Sequence, residues 1–180
     1  MILFGRATQG VADIRTARLR LIAITDAMLS AEEADDGSFG RVLRARITEQ
    51  WPPEHWEPHV LTFIRRQHDD DPRTIGWNRY VVLPSLHRRP TLVGCVGGFI
   101  KPGGEVEIGY STLPSFQRRG FATEAARAFV EWLLMQEDVR RVTAQTFPHI
   151  PESIKVMERC GMTYIGDGDD PGTVRFCRKR

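Results

Sequence analysis

Cysteine and long apolar runs are both scarce in this chain, and their scarcity excludes several classes of protein. The three cysteines, Cys95, Cys160 and Cys177, are odd in number and widely separated. None stands at ligand spacing from a histidine, so the sequence predicts neither a disulfide framework nor a zinc site, and we expect no metal. The longest apolar stretches, such as residues 92–100, fall far short of the roughly 20 residues that a transmembrane helix needs, and we expect no association with a membrane.

A strong charge of either sign is also missing. Lys and Arg number 25 and Asp and Glu number 23, for a net charge of +2, so the overall charge does not require a nucleic acid as partner. Basic residues do occur in local pairs, among them Arg118-Arg119 and Arg140-Arg141, and such pairs suit a small polyanion. The N-terminal stretch has no apolar run that ends in a cleavage site. We therefore expect a cytoplasmic protein.

Length and composition predict one globular domain. A chain of 180 residues, with 41% apolar and 27% charged residues, can bury a single core without disulfides or metals. We expect one domain over residues 1–180, with residues 1–15 as an N-terminal extension. Residues 18–24 form the first predicted strand, and Thr25 and Asp26 offer an N-cap for a helix that ends near Ala34. Two further helices follow, at residues 39–47 and from the prolines at 52–53 to about 64.

The second half of the chain shows the period of strands first and of helices later. The predicted elements are strands at 80–83, 91–96 and 105–111, a helix at 122–135, a strand at 139–146, a helix at 151–160 and a final hairpin that turns at 167–172. Alternation in the strand at 105–111 places Glu105 and Glu107 on one face and Tyr110 on the other. The order of elements predicts a mixed α/β (α+β) fold with a largely antiparallel sheet flanked by helices.

The turn at residues 117–122, with the sequence Gln-Arg-Arg-Gly-Phe-Ala, joins that strand to a strongly amphipathic helix. A helix start presents backbone N–H groups and the positive end of the helix dipole, and a glycine lets the chain bend close to a ligand, so this junction can hold a pyrophosphate. Arg118 and Arg119 add positive charge, and Thr123 adds a hydroxyl. The alternative is that Gly120 only makes a turn and the arginines only solvate it.

Three segments taken together resemble the GNAT superfamily of N-acetyltransferases, and in particular its ribosomal-protein N-terminal acetyltransferase-like branch. They are Glu-Ile-Gly-Tyr at 107–110, the turn at 117–122 with the Thr-Glu-Ala that follows it, and the helical segment 153–162, which Gly161 closes. The first strand, at residues 18–21, is similar to that branch as well. The resemblance covers about residues 16–176 and implies the splayed central sheet of that fold.

The resemblance implies that the turn binds the pyrophosphate of acetyl-coenzyme A (acetyl-CoA) through backbone N–H groups. It also implies that the pantetheine arm bonds to the edge of the preceding strand, where that strand splays from its neighbour, and that an amide there polarises the thioester carbonyl. The residues predicted to bind the cosubstrate are Tyr110, Ser111, Thr112, Leu113, Gln117, Arg118, Arg119, Gly120, Phe121, Ala122 and Thr123.

The implied reaction is direct attack of a neutral amine on the acetyl carbonyl, which needs an acceptor for the amine proton and a donor for the departing thiolate. Glu107 is the candidate base, and a solvated or salt-bridged strand carboxylate is its alternative; Glu105, nearer the turn, is expected to be solvated. Ser153 is the candidate acid, and a first-turn helix contact is its alternative. Two positions depart from the family pattern: Met157 replaces the tyrosine that similar proteins use as the acid, and Ile150 replaces an asparagine that bonds the pantetheine.

The leading hypothesis is N-acetylation of a primary amine, either a protein N-terminus or a small molecule, by a monomer or homodimer. The resemblance implies that the early helices and the final hairpin recognise the acceptor, with Trp51 as a pocket residue and Trp56 as a packing residue. A transferase for a longer acyl group such as succinyl, and a non-catalytic acyl-CoA-binding or sensing protein, remain open as alternatives. Nucleic-acid binding through scattered arginines is a further alternative, against which the near-neutral net charge argues.

Overall fold

The computed structural model describes residues 11–54, 56 and 58–180, and the chain divides into two compact units, residues 1–95 and 96–180. The elements of the first unit are β1 (Ile14–Arg15), β2 (Arg20–Ala23), α1 (Asp26–Glu33), α2 (Phe39–Leu43), α3 (Pro58–Asp70), β3 (Asn78–Leu83) and the beginning of β4 (Thr91–Lys101). Strand β2 pairs antiparallel with β1 on one side and with β3 on the other.

The helices of the first unit begin and end at residues whose backbone chemistry explains their limits. Helix α1 begins as predicted, because the Thr25 hydroxyl accepts a hydrogen bond from the backbone N–H of Met28. Helix α2 ends earlier than predicted, at Leu43, because Arg44 adopts a left-handed conformation with φ of 58°. Helix α3 begins at Pro58, beyond the prolines at 52–53 from which it was predicted to start.

The core of the first unit surrounds one carboxylate. Trp51 and Trp56 are partly buried and pack against a cluster of apolar residues that includes Tyr80. Both tryptophans donate their indole N–H to Glu32 Oε1, each at 2.8 Å, and the Tyr80 hydroxyl donates to Glu32 Oε2. Trp51, which was predicted to line a pocket, thus packs in the same cluster as Trp56.

The second unit contains the end of β4, then β5 (Glu105–Thr112), α4 (Phe121–Leu134), β6 (Arg141–Thr146), α5 (Pro151–Arg159), β7 (Thr163–Asp167) and β8 (Val174–Lys179). Its strands follow the order β4-β5-β6-β8-β7. The β5–β6 pair is parallel, whereas β8 is antiparallel to both β6 and β7. Helix α4 packs against β5, β6 and α5.

Helical spacing explains how α4 is anchored. Its buried residues recur every three or four positions, as an apolar stripe that faces a core requires: Phe121, Ala125, Ala126, Phe129, Val130, Leu133 and Leu134. Helix α5 contributes Met157, which is 1% exposed, to buried packing. The position at which similar proteins carry a tyrosine is therefore a core position here.

The predicted mixed α/β class with a largely antiparallel sheet is confirmed by the elements of the described residues. The strand β1 was not predicted, because two residues are too short to show a period. Within the described ranges, no helix is both long enough and apolar enough to cross a membrane.

Candidate active site

Strands β5 and β6 pair over only part of their length. Their parallel register ends at the pair formed by Glu107 and Thr143, although β5 continues to Thr112 and β6 continues to Thr146. Beyond that pair, residues 108–112 leave the neighbouring strand, and their backbone is free of this ladder. The separation is the strand splay that the family resemblance implied, and it can accept an extended ligand by backbone bonds.

The turn between β5 and α4 is held by contacts of its own side chains. Gln117 Nε2 donates to the carbonyl oxygen of Thr112 at 3.0 Å, which ties the turn to the end of β5. The Arg119 guanidinium lies over the rings of Phe116 and Phe121, at 5.8 and 4.8 Å from their centroids. Phe121 is 3% exposed, so this pair of rings holds a cation at the first turn of α4.

The backbone of this turn has an uncommon shape. Gly120 is the N-cap of α4 with φ of 79°, and Arg118 has φ of 58°. A left-handed conformation is open to glycine but costs other residues on the order of 1–2 kcal/mol. The first N–H groups of a helix have no acceptor inside the helix, and with the positive dipole end and Arg119 they form a surface suited to an anion.

Glu107 lies at the last paired position of β5 and is held by a cation and an amide. Lys101 Nζ donates to Glu107 Oε2 at 2.6 Å, and Gln145 Nε2 donates to Oε1 at 3.1 Å. The Arg175 guanidinium lies 4.0 Å from Oε2, and the Glu107 side chain is 13% exposed. The carboxylate is therefore ion-paired, which was the alternative left open for it, and its role as the base stays a prediction.

Glu105 was expected to be solvated, and this expectation is wrong. The residue is 4% exposed. Arg141 Nε donates to one carboxylate oxygen at 2.6 Å, and the other oxygen accepts from Arg175 and, at 3.0 Å, from the Thr143 hydroxyl. A charge can be buried when it is paired in this way. Its partners come from β6 and β8, so the local sequence around Glu105 held no sign of them.

The loop of the β7–β8 hairpin is tied to β6 by one amide. Gln145 Oε1 accepts from the backbone N–H of Asp169 at 2.9 Å and from the Thr173 hydroxyl at 3.0 Å. A Cβ at Gly168 would lie 2.0 Å from Thr173 Oγ1 and 2.5 Å from Gln145 Oε1, so a side chain there would break the tie. Lys101 Nζ also donates to the Asp169 carboxylate.

A cavity of about 360 Å³ opens beside this loop. Its lining is Pro148 together with residues 167–174, and it includes three aspartates. Hydrogen bonding from Lys101 lowers the pKa of the Asp169 carboxyl. Desolvation by itself would lower the pKa of Lys101, but the bonds to Asp169 and Glu107 raise it. The loop and the Glu107 carboxylate thus share one cation.

A contact between Tyr110 and Ser153 joins β5 to α5 past the point where β5 and β6 separate. The Tyr110 hydroxyl lies 3.0 Å from Ser153 Oγ and 3.1 Å from the Ser153 carbonyl oxygen. Burial raises the pKa of Tyr110 to about 12. The sequence predicted only a backbone role for Tyr110; the 43 positions between the two residues gave no local signal of the contact.

A cluster of metal ligands is absent from the part of the chain that the structure describes. No group of three or more His, Cys, Asp or Glu side chains that could hold an ion occurs there. Cys95, Cys160 and Cys177 are buried, and none of them forms a disulfide bond.

Comparison with known proteins places these features in a family. The acetyltransferase (GNAT) domain profile matches residues 18–163. The chain is 27% identical over 150 residues to the uncharacterized N-acetyltransferase YjdG of Bacillus subtilis, a match that covers 82% of this chain and 88% of that one.

Two solved structures share the fold. RimL, a ribosomal L7/L12 α-N-protein acetyltransferase in complex with coenzyme A, superposes with a TM-score of 0.59 at 14% identity, over 93% of this chain and 98% of its own. The ribosomal-protein-S5-alanine acetyltransferase of Vibrio fischeri gives a TM-score of 0.62 at 15% identity, over 94% and 97%. With the family profile extending across most of the chain and a sheet that splays ahead of a cationic helix start, this protein belongs to the GNAT family of acetyltransferases.

Proposed function

We propose that this protein is an acetyl-CoA-dependent N-acetyltransferase, in one GNAT domain, and that its acceptor is a primary amine. The observation that carries the proposal is the separation of β5 from β6 directly before the turn that starts α4. An open strand edge and a cationic helix start, one after the other, match the two halves of coenzyme A: an amide-rich arm and a diphosphate.

Two backbone segments bind the two parts of coenzyme A, and side chains hold each segment in place. The N–H groups of residues 118–120, 122 and 123 bond the diphosphate, with Arg119 held beside them by its two aromatic rings. Residues 110–113 offer the backbone edge to the pantetheine arm, and Gln117 fixes the end of that edge through its bond to Thr112. Acetyl-CoA supplies an activated thioester, which a neutral amine can attack directly.

Glu107 takes the amine proton in this proposal, directly or through a water. A base must lie within hydrogen-bond reach of the proton that it removes, and Glu107 stands where the open edge of β5 begins. Its bonds to Lys101 and Gln145 hold the carboxylate in one orientation. Ser153 donates a hydrogen bond to the sulfur as the thiol leaves.

The acceptor enters beside the β7–β8 loop. The cavity there is lined by Asp167, Asp169 and Asp170, so it favours an acceptor molecule that carries positive charge. RimL and the Vibrio fischeri enzyme are named for acetylation of ribosomal proteins, and these names favour a protein N-terminus over a small amine as the acceptor.

A second candidate function is acyl-CoA binding without catalysis. Met157 is buried in the core at the position where similar proteins carry a catalytic tyrosine, and Glu107 is ion-paired. Both observations favour a protein that binds the coenzyme but does not turn it over. A preference for a longer acyl group, such as succinyl, is a variant of the first proposal.

The first experiment measures binding of acetyl-CoA by calorimetry. Gly120→Val adds bulk and backbone strain at the turn, and we expect it to weaken binding at least tenfold, because the diphosphate approaches the backbone there. Gly37→Val is the matched control, since Gly37 also has a positive φ, of 76°, and no atom lies within 4 Å of a Cβ there. Arg119→Glu should weaken binding, with Arg41→Glu as its control. An unaltered protein that does not bind acetyl-CoA contradicts the proposal.

The second experiment separates the two functions. Thiol release from acetyl-CoA and from succinyl-CoA is followed with a panel of N-terminal peptides and small amines. Release that depends on an amine supports the transferase, and the faster acyl donor identifies the acyl group. Tight binding without release from either donor, across the panel, supports the non-catalytic function.

A further inference from the structure

We infer that Tyr110 is a positioning residue whose hydroxyl orients the Ser153 hydroxyl toward the departing sulfur of coenzyme A. The inference rests on the proposed function and deepens it, because it gives the Tyr110 side chain a role in place of a backbone contact alone. It also makes Ser153 the donor to the sulfur, a role that Met157 cannot take because it is buried and has no hydrogen to donate.

The contact links the separated part of β5 to the first turn of α5. Tyr110 belongs to the part of β5 that has separated from β6, and Ser153 lies in the first turn of α5. The phenol oxygen lies within hydrogen-bond distance of both oxygens of Ser153, at 3.0 and 3.1 Å. The Tyr110 side chain therefore contacts both the backbone at the start of α5 and the Ser153 hydroxyl.

The phenol carries one proton, which either the Ser153 carbonyl oxygen or Ser153 Oγ can accept. Burial raises the pKa of Tyr110 to about 12, so the phenol keeps its single proton near neutral pH and acts as a donor. The Cys160 thiol influences the same phenol, and burial raises its own pKa to about 11, so it adds no charge. When Tyr110 donates to Ser153 Oγ, the serine proton points elsewhere and is available to a third group.

The third group in the reaction is sulfur. The amine nitrogen bonds to the acetyl carbon, the carbon–sulfur bond breaks, and its electron pair moves to sulfur. The amine loses one proton to the base and then to solvent, which balances the negative charge on the thiolate. Ser153 donates a hydrogen bond to that thiolate, and Tyr110 strengthens the bond because chains of hydroxyl groups polarise one another.

The test compares Tyr110→Phe and Ser153→Ala with the unaltered protein. We expect Tyr110→Phe to lower kcat by about tenfold, the effect of one hydrogen bond, while the Kd for acetyl-CoA changes by less than about twofold. Rates measured with acetyl thioesters of increasingly basic thiols should fall more steeply in both variants, because the leaving group has lost its donor. Tyr164→Phe, at an exposed tyrosine of the same unit, is the control and should leave this dependence unchanged.

A binding measurement gives a readout that does not depend on turnover. Coenzyme A should bind more tightly than desulfo-coenzyme A to the unaltered protein, and this preference should shrink severalfold in both variants. Ser153→Thr keeps a hydroxyl and should restore both the preference and the rate.

The double variant isolates the positioning role from a structural one. Ser153→Ala keeps the carbonyl oxygen that Tyr110 also contacts, so adding Tyr110→Phe should cause little further loss. A full additional loss, or a Tyr110→Phe protein with the leaving-group dependence and sulfur preference of the unaltered protein, overturns the inference. Failure of the unaltered protein to bind acetyl-CoA would overturn the proposed function, and the inference with it.

Discussion

Two carboxylates in the two units, Glu32 and Glu105, are satisfied in opposite ways. Among the described residues, Glu32 accepts from neutral donors, which are the indole N–H groups of Trp51 and Trp56 and the Tyr80 hydroxyl. Burial raises the pKa of Glu32, since none of these donors carries a charge. Glu105 instead accepts from Arg141 and Arg175. Neutral donors therefore hold a carboxylate in place but offset only part of the cost of burying its charge, whereas arginines also supply the opposite charge.

The two carboxylates also differ in what surrounds them: Glu32 belongs to the packed core, and Glu105 belongs to the candidate active site. The Glu32 cluster joins α1 to the segment around Trp51 and to β3, and all of its members lie against the apolar core of the first unit. The Glu105 network continues through Arg175 to Glu107 and Asp169, and so reaches the candidate base and the β7–β8 loop. Only the charged network touches residues for which a chemical role is proposed.

Of the substitutions at these two carboxylates, removal of Glu105 should lower the free energy of unfolding most. Glu105→Ala leaves Arg175, 18% exposed, without its buried partner, and loss of one member of a buried ion pair costs about 3–5 kcal/mol. Urea unfolding should show that decrease in the free energy of unfolding. Glu137→Ala, at an exposed position, is the control, and a decrease below about 1 kcal/mol for Glu105→Ala would contradict the interpretation.

Removal of Glu32 should have the next largest effect. Glu32→Ala leaves three donors without an acceptor and should lower the free energy of unfolding by about 2–3 kcal/mol, whereas Glu32→Gln keeps an acceptor and should change it by less than about 1 kcal/mol. Equal losses in the two variants would mean that the charge itself, and not the acceptor, stabilises this cluster.

The pH dependence of stability tests the same interpretation of Glu32. The folded pKa of Glu32 lies above its ordinary value of 4.5, so the folded state binds the proton more tightly than the unfolded state. Its stabilising contribution is complete below pH 4.5 and is lost as the pH rises through the folded pKa. The free energy of unfolding of the unaltered protein, relative to Glu32→Gln, should therefore decrease between pH 4 and 8. An increase over this range would mean that folding lowers the pKa of Glu32 and does not raise it.

The smallest expected effect concerns Asp169. Its carboxyl pKa is lowered from 3.8, so its contribution is present above pH 3.8 and is lost as the pH falls through the folded pKa. Asp169 is half exposed, so Asp169→Asn should reduce the hydrogen-exchange protection of the loop amides slightly, and less so in high salt. The difference from the unaltered protein should vanish well below pH 3.8. A loss of protection that persists in acid would mean that the ionised Asp169 carboxylate does not stabilise the loop and that the Gln145 hydrogen bonds do.

The features that local sequence predicted are those whose causes are local. Thr25 caps α1 because its hydroxyl reaches a neighbouring backbone N–H, and the period of α4 follows from its own apolar stripe. The turn at Gly120 combines a glycine, a helix start and two adjacent arginines, so its character was visible in six residues.

The features that were missed or misjudged depend on distant partners. Glu105 gives no local sign of Arg141 and Arg175, which follow it by 36 and 70 positions. The same holds for Trp51, whose packing depends on Glu32, 19 positions earlier, and for the contact between Tyr110 and Ser153. Side-chain pairs of this kind arise from strand order, which periodicity alone does not determine.

The amide of Gln145 has a consequence for how the β7–β8 loop can move. Its oxygen holds the loop backbone at Asp169, and its nitrogen donates both to Asp170 and to Glu107. Rotation of the amide by half a turn would set oxygen against two carboxylates and nitrogen against donors, so only one orientation is compatible with all of these bonds. A ligand that displaces the loop must therefore disturb Gln145, which also contacts Glu107. If the acceptor binds beside this loop, as proposed, the NMR signal of the Gln145 side-chain NH₂ group should shift when it binds.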